Sequence, residues 1–131
     1  MSAHLVDVSV ERSGSIAIVR FVGEIDMSNA ATVRQRVAEA VTPDDDAVIL
    51  DLSELSFIDS AGLHVVFELS AMLEERRQRL LLCAAPESQV DRSIGIVGLP
   101  RTVSVHRGRD EALEAARATT VERKPFPPGD G

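Results

Sequence analysis

Asp51-Leu-Ser-Glu-Leu-Ser-Phe-Ile-Asp-Ser-Ala-Gly-Leu63 joins the two patterns on which the fold of this chain depends. Leading into it, Ala47 to Leu52 is apolar at every position but Asp51, as expected of a strand covered on both faces. Leading out of it, from about Ala61 to Arg77, Val65, Val66, Leu69, Met72 and Leu73 form an apolar helical stripe, and His64, Glu68 and Glu75 share a polar face. Asp59 and Ser60 therefore fall in a turn between a strand and a helix. Ser60 is the candidate N-cap, because a serine oxygen there can accept a hydrogen bond from a free N–H of the first helical turn.

Upstream, His4 to Val10 alternates, with Val6, Val8 and Val10 on one face and Asp7 and Ser9 on the other. Ser13-Gly14-Ser15 supplies a turn, and Ile16 to Val22 reads as a second strand, so the two make an antiparallel hairpin. After Gly23-Glu-Ile-Asp26, Ser28 or Asn29 caps a helix carrying Ala30, Val33, Val37 and Val41, which Pro43 and Asp44-Asp45-Asp46 end. Downstream, Leu80 to Ala84 is a fourth strand. Pro86 opens a third helix from Glu87 to about Val97, with Val90, Ile94 and Val97 inward and Gly98 as its C-cap. Val103 to His106 is a short fifth strand, and Asp110 caps a last helix carrying Leu113 and Ala116. These elements make one domain over residues 1–119, and the proline-rich remainder, 120–131, is expected to be a disordered tail.

Strands alternating with helices imply an α/β fold: a mixed five-stranded sheet, antiparallel in its first hairpin and otherwise mostly parallel, packed with four helices. In such a sheet the turns after strands two and three lie at the carboxyl ends of parallel strands, where α/β sheets bind their ligands. Glu24, Asp26 and Ser28 are thereby placed beside Asp59 and Ser60, with Asp44 to Asp46 at the opposite end.

Several chemistries lose support on composition. A net charge of -7 and a pI near 4.9 oppose direct contact with nucleic acid or anionic membrane. No Trp or Tyr and four Phe leave no stacking platform for bases. Thirteen of the fourteen basic residues are arginine, the exception being Lys124, so a receiver-type phosphoacceptor site lacks its core lysine. No apolar run suits a transmembrane helix and no charged-then-apolar start suits a signal peptide, so a cytoplasmic location is expected. Cys83, alone in an apolar strand, reads as a small hydrophobe. Asp59, Ser60 and His64 are the residue types of a hydrolase triad, but His64 is only four residues on and the Gly-x-Ser-x-Gly elbow is absent. Three dispersed histidines and one cysteine offer no metal spacing, Gly95-Ile-Val-Gly98 is no phosphate loop, and no cofactor is expected. Ser60 is left as a target of another protein's chemistry. Phosphate there would sit at the positive end of a helix dipole, tolerated by the fold but adding charge to Asp59, Asp26 and Glu24 under a docked partner.

Phe21-Val-Gly-Glu-Ile-Asp26 and the stretch from Asp51 to Leu63, one helix and one strand apart, resemble the STAS family, which covers anti-sigma-factor antagonists and the cytoplasmic domains of sulfate transporters. The resemblance runs from about Leu5 to Ala116 and takes in Ile96-Val-Gly-Leu99 and Glu111-Ala-Leu113; with no membrane span, it points to the stand-alone bacterial antagonists. It implies the STAS fold and partner switching. In that family the serine of the Asp-Ser-x-Gly turn is phosphorylated by an anti-sigma factor with a histidine-kinase-like ATPase fold; the unmodified form binds that kinase and displaces its sigma factor, and a serine phosphatase resets the cycle. Ser60 falls on the phosphoacceptor. Asp59, Gly62 and Asp26 fall on motif positions, and Glu24, Ser28, Ala61 and Leu63 complete the expected partner surface. Ala61 stands where relatives often carry a second hydroxyl. Gly62 is expected to let a partner approach the first helical turn, and Leu63 with Phe67 reads either as an exposed apolar patch or as core. The competing class is a scaffold or small-ligand sensor built on the same domain.

Overall fold

In a computed structural model that describes residues 5–123, with side chains described through residue 118, the elements run β1 (Val6–Ser13), β2 (Ile16–Ile25), α1 (Ala30–Ala40), β3 (Ala47–Ile58), α2 (Ser60–Glu75), β4 (Arg79–Cys83), α3 (Gln89–Ile96), a 3-10 turn (Leu99–Arg101), β5 (Ser104–His106) and α4 (Arg109–Arg123). The sheet has five strands in the order β1-β2-β3-β4-β5, with β1 antiparallel to β2 and every later pair parallel. Each crossover thus steps one strand in the same direction. Right-handed connections then put α1, α2 and α3 on one face.

The core divides accordingly. On the three-helix face, Val33 and Val37 of α1, Leu63, Val66, Leu69 and Leu73 of α2 and Val90 and Ile94 of α3 pack with Val19, Phe21, Leu50, Leu52 and Leu82 of the strands. On the other face α4 lays Ala112 and Ala116 over Ile16, Ile18, Ala47, Ile49, Leu81 and Cys83. Two alanines bring the helix close to the sheet. Ala47 to Leu52 of β3 and Leu80 to Cys83 of β4 are buried on both faces, which explains their apolar runs, broken only by Asp51.

Two strands are longer than their sequence patterns suggest. β2 runs on to Ile25 and β3 to Ile58, paired in parallel through Glu24↔Phe57 and Ile25↔Ile58 after register shifts between Arg20 and Val22 and between Gly23 and Glu24. β4 ends opposite Asp51, so this extension of β3 has no strand on that side, and polar Ser53, Glu54 and Ser56 are accommodated there. Gly23, at φ 122, has room for no Cβ: one would lie 2.5 Å from the carbonyl oxygen of Leu5, which precedes β1.

The starts of α1, α3 and α4 differ from expectation. Pro86 precedes α3 without opening it; Ser88 is its N-cap, accepting from the Asp91 N–H at 3.1 Å. Asp110 lies inside the first turn of α4, which begins at Arg109, and Ala112 rather than Leu113 is the fully buried partner of Ala116. Asn29 is the N-cap residue of α1 but its side chain makes no cap bond, being used elsewhere. Gly98 does take the left-handed conformation that terminates α3, at φ 74. β1 begins at Val6 and ends at Ser13, with Val6 and Val8 half-buried and Val10 exposed. His4 lies outside the described residues. α4 continues to Arg123, past the expected boundary at residue 119, and the rest of the expected tail, 124–131, also lies outside the described residues.

Candidate functional site

The carboxyl ends of β2 and β3 deliver two loops side by side. Asp26 to Asn29 follows β2, and Asp59 leads from β3 into Ser60; the Asp59 N–H donates to the Ile25 carbonyl at 3.2 Å, so the second turn leans on the first strand.

Asp59, not Ser60, is the N-cap of α2. Its φ of -106 and ψ of -172 are the extended geometry a cap requires, and its Oδ1 accepts from the Gly62 N–H at 3.0 Å. Ser60 is already the first helical residue, so its hydroxyl is not the capping group. The other oxygen of Asp59, Oδ2, accepts from the Met27 N–H at 3.2 Å. One carboxylate therefore both starts α2 and ties the β2–α1 loop to it.

The first loop is braced from within. Asp26 is 9% exposed; its Oδ1 accepts from the Ser28 N–H at 2.9 Å and from the Ser28 hydroxyl. Asn29 reaches back, its Oδ1 accepting from the Asp26 N–H at 3.1 Å and its Nδ2 donating to the Glu24 carbonyl at 2.9 Å. Asp26 and Asn29 thus spend themselves on loop shape.

Of the residues expected to meet a partner, Ser28 and Ser60 are exposed, Glu24, Asp59 and Ala61 are half-buried, and Asp26, Gly62 and Leu63 are buried. The close approach at Gly62 is internal: a Cβ would lie 2.6 Å from Ile58 Cγ1 and 2.9 Å from Ile25 Cγ2, so the glycine seats α2 on the ends of β2 and β3. Leu63 belongs to the core and Phe67 packs half-buried against it. The exposed apolar groups are others. Met27, in the β2–α1 loop, is 78% exposed and Phe57, near the end of β3, 37%. Met27 stands between Asp26 and Ser28, and an apolar residue isolated there was the available signal; Phe57, between Ser56 and Ile58, carried no such signal.

The residue types of a triad are engaged elsewhere. Both Asp59 oxygens take backbone N–H groups, and exposed His64 points its Nε2 at Glu68 Oε2 at 3.3 Å, with Arg34 Nε 3.2 Å from Glu68 Oε1. Cys83 is fully buried, and burial, then the negative charge of Asp51, pushes its thiol from 9.0 to about 12, which leaves it protonated and inert. Among the described residues no group of three or more His, Cys, Asp or Glu side chains is placed to hold a metal ion. No helix there is long and apolar enough to cross a membrane.

The STAS domain model matches residues 7–112, and the chain belongs to the STAS family. It is 28% identical over 119 residues to the anti-sigma-F factor antagonist RsfB of Mycobacterium tuberculosis, covering 90% of this chain and 95% of that one. The crystal structure of an anti-sigma factor antagonist from Mycobacterium paratuberculosis superposes with a TM-score of 0.79 at 27% identity, over 86% of this chain and 95% of that one. The antagonist SpoIIAA in its unphosphorylated form shares the fold, with a TM-score of 0.68 at 23% identity over 86% and 97% of the two chains.

Proposed function

We propose that this chain is a cytoplasmic anti-sigma-factor antagonist switched by phosphorylation of Ser60. Its unmodified form binds an anti-sigma factor that is also a serine kinase with a histidine-kinase-like ATPase fold, and so releases the sigma factor held there; a serine phosphatase restores the binding form. The protein is a substrate and a ligand in this cycle rather than a catalyst. The family and the relatives named as antagonists support the class. The observation that carries the switch is the division of labour at the turn: Asp59 caps α2, so the exposed Ser60 hydroxyl can be esterified without removing a bond the helix uses.

Phosphorylation adds about two negative charges. At the helix start this gains about 0.3–1 kcal/mol from the dipole, opposed by the neighbouring carboxylate of Asp59, so the fold should hold. A docked partner meets a different balance. Met27, whose N–H binds Asp59, and Phe57, two residues before Asp59, offer exposed apolar contact near the turn, and burying a dianion there costs a few kcal/mol, or about 10²-fold in affinity.

Affinity capture from the native cell with Ser60→Ala and Ser60→Glu forms tests this. Ser60→Ala should retain a kinase-fold anti-sigma factor that Ser60→Glu releases, and that kinase with ATP should label the wild type but not Ser60→Ala. Equal labelling of Ser60→Ala, or equal retention by both variants, overturns the proposal.

A further inference from the structure

β3 outruns its neighbour. β4 stops at Cys83, opposite Asp51, so Leu52 to Ile58 run beside β2 alone. At the end of that open side stands Gln89, the first residue of α3. Its Oε1 accepts from the Ile58 N–H at 3.0 Å, and its Nε2 donates to the Ile58 carbonyl at 3.0 Å. A primary amide carries the same donor and acceptor as a peptide group, so this one side chain supplies both bonds that Ile58 would otherwise have made to two residues of a longer parallel β4. Ser93, one helical turn on, accepts the remaining Nε2 hydrogen at 2.9 Å, which fixes the orientation of the amide.

The pairing bears on the switch because of which peptide it holds. The Ile58 carbonyl and the Asp59 N–H belong to one peptide plane. Gln89 takes the carbonyl from one side and the Ile25 carbonyl takes the N–H from the other, at 3.2 Å. That plane immediately precedes the Asp59 cap and Ser60. α3 is in turn anchored by its Ser88 cap and by buried Val90 and Ile94, so the clamp has a fixed base.

We infer that Gln89 is a positioning residue for Ser60: it clamps the end of β3 and presents the serine hydroxyl in one orientation to the phosphorylating enzyme. The inference rests on Ser60 being the modified residue and adds α3 to the machinery of the switch. Gln89→Met keeps the length and removes both hydrogen bonds; Gln89→Glu can still accept from the Ile58 N–H but cannot donate to the carbonyl.

Two measurements test it: amide hydrogen exchange by NMR on the chain alone, and the kinetics of Ser60 labelling by ATP and the captured anti-sigma kinase. In Gln89→Met, exchange at Ile58 should accelerate about tenfold while Leu81 and Leu82 keep their protection, and labelling should lose about tenfold in kcat with little change in KM, because the β2–α1 loop still docks. Gln89→Glu should lose kcat while the Ile58 amide stays largely protected. Unchanged exchange at Ile58 in Gln89→Met overturns the clamp, and faster exchange with kcat within about twofold of wild type overturns its role at Ser60. If Gln89→Met loses protection at Leu81 and Leu82 as well, Gln89→Glu decides by its kcat alone. A wild-type chain that the kinase does not label at Ser60 removes the function proposed above and this role with it, whereas a labelled wild type with indifferent Gln89 variants removes this role only.

Discussion

Gly62 sits where α2 comes down on the ends of β2 and β3, and its missing side chain is what allows the contact. Alanine there would drive Cβ to 2.6 Å from Ile58 Cγ1 and 2.9 Å from Ile25 Cγ2, and both isoleucines are fully buried and cannot swing away. Gly62→Ala is therefore expected to destabilise by about 1–3 kcal/mol despite its gain in helix propensity. Urea unfolding checks this; a midpoint equal to or above wild type would show that the helix end relaxes freely. The same residue illustrates a limit of reading local sequence. A glycine in a first helical turn beside a modifiable serine looks like an opening for a partner, and only the path of β2 beneath it shows that the space is already filled. Asp59 is the complementary case: either member of the Asp-Ser pair can cap a helix, and the choice was made by the backbone entering α2 one residue earlier than its apolar stripe suggests.

At the scale of elements, α4 is the only cover of one sheet face among the described residues. A chain ended after Gly108 would expose Ile16, Ile18, Ala47, Ile49, Leu81 and Cys83, each large aliphatic residue worth about 1.5–3 kcal/mol of burial. The sum rivals a typical domain stability of about 5–15 kcal/mol. That truncation is expected to yield aggregated or dye-binding protein by size-exclusion chromatography and ANS fluorescence, while a chain ended after Ala118 keeps Ala112 and Ala116 and should remain monodisperse. A soluble, folded chain ending at Gly108 would show that this face needs no helix. The order of elements was legible throughout, because periods of 2 and 3.6 separate strands from helices. The ends of β2 and β3 were not. Ser53 and Ser56 carry turn chemistry and fall at the two register shifts, and they stay within the strand only because Glu54, Leu55, Phe57 and Ile58 around them pair with β2.

For the molecule as a whole, Cys83 links the sheet interior to pH. Its thiol is pushed to about 12 in the fold, chiefly by burial, against 9.0 when unfolded. Above 9.0 the unfolded chain gains by releasing that proton and the folded chain does not, so the contribution is complete below 9.0 and lost as pH climbs toward 12. Denaturant midpoints followed from neutral to alkaline pH should fall more steeply for wild type than for Cys83→Ala. Parallel curves would mean that other groups govern the alkaline limb. At about pH 8 the native thiol should also resist alkylation until denaturant is added.

The sequence by itself determined the α/β class, the element order, the antiparallel first hairpin and the family, because hydrophobic period, turn residues and two spaced motifs are local properties of the chain. It also placed Ser60 and the Glu24 to Ser28 loop at one edge of the sheet, since the direction of parallel strands follows from their connections. The tertiary structure alone decided which oxygen caps α2, which residues around Ser60 face outward, and that Gln89 closes the free side of β3. Each of these depends on a contact between segments distant in the chain: Met27 with Asp59, Ile25 with Gly62, and Ile58 with Gln89. No periodicity within either partner encodes such a contact, because it exists only when the sheet has brought the two together.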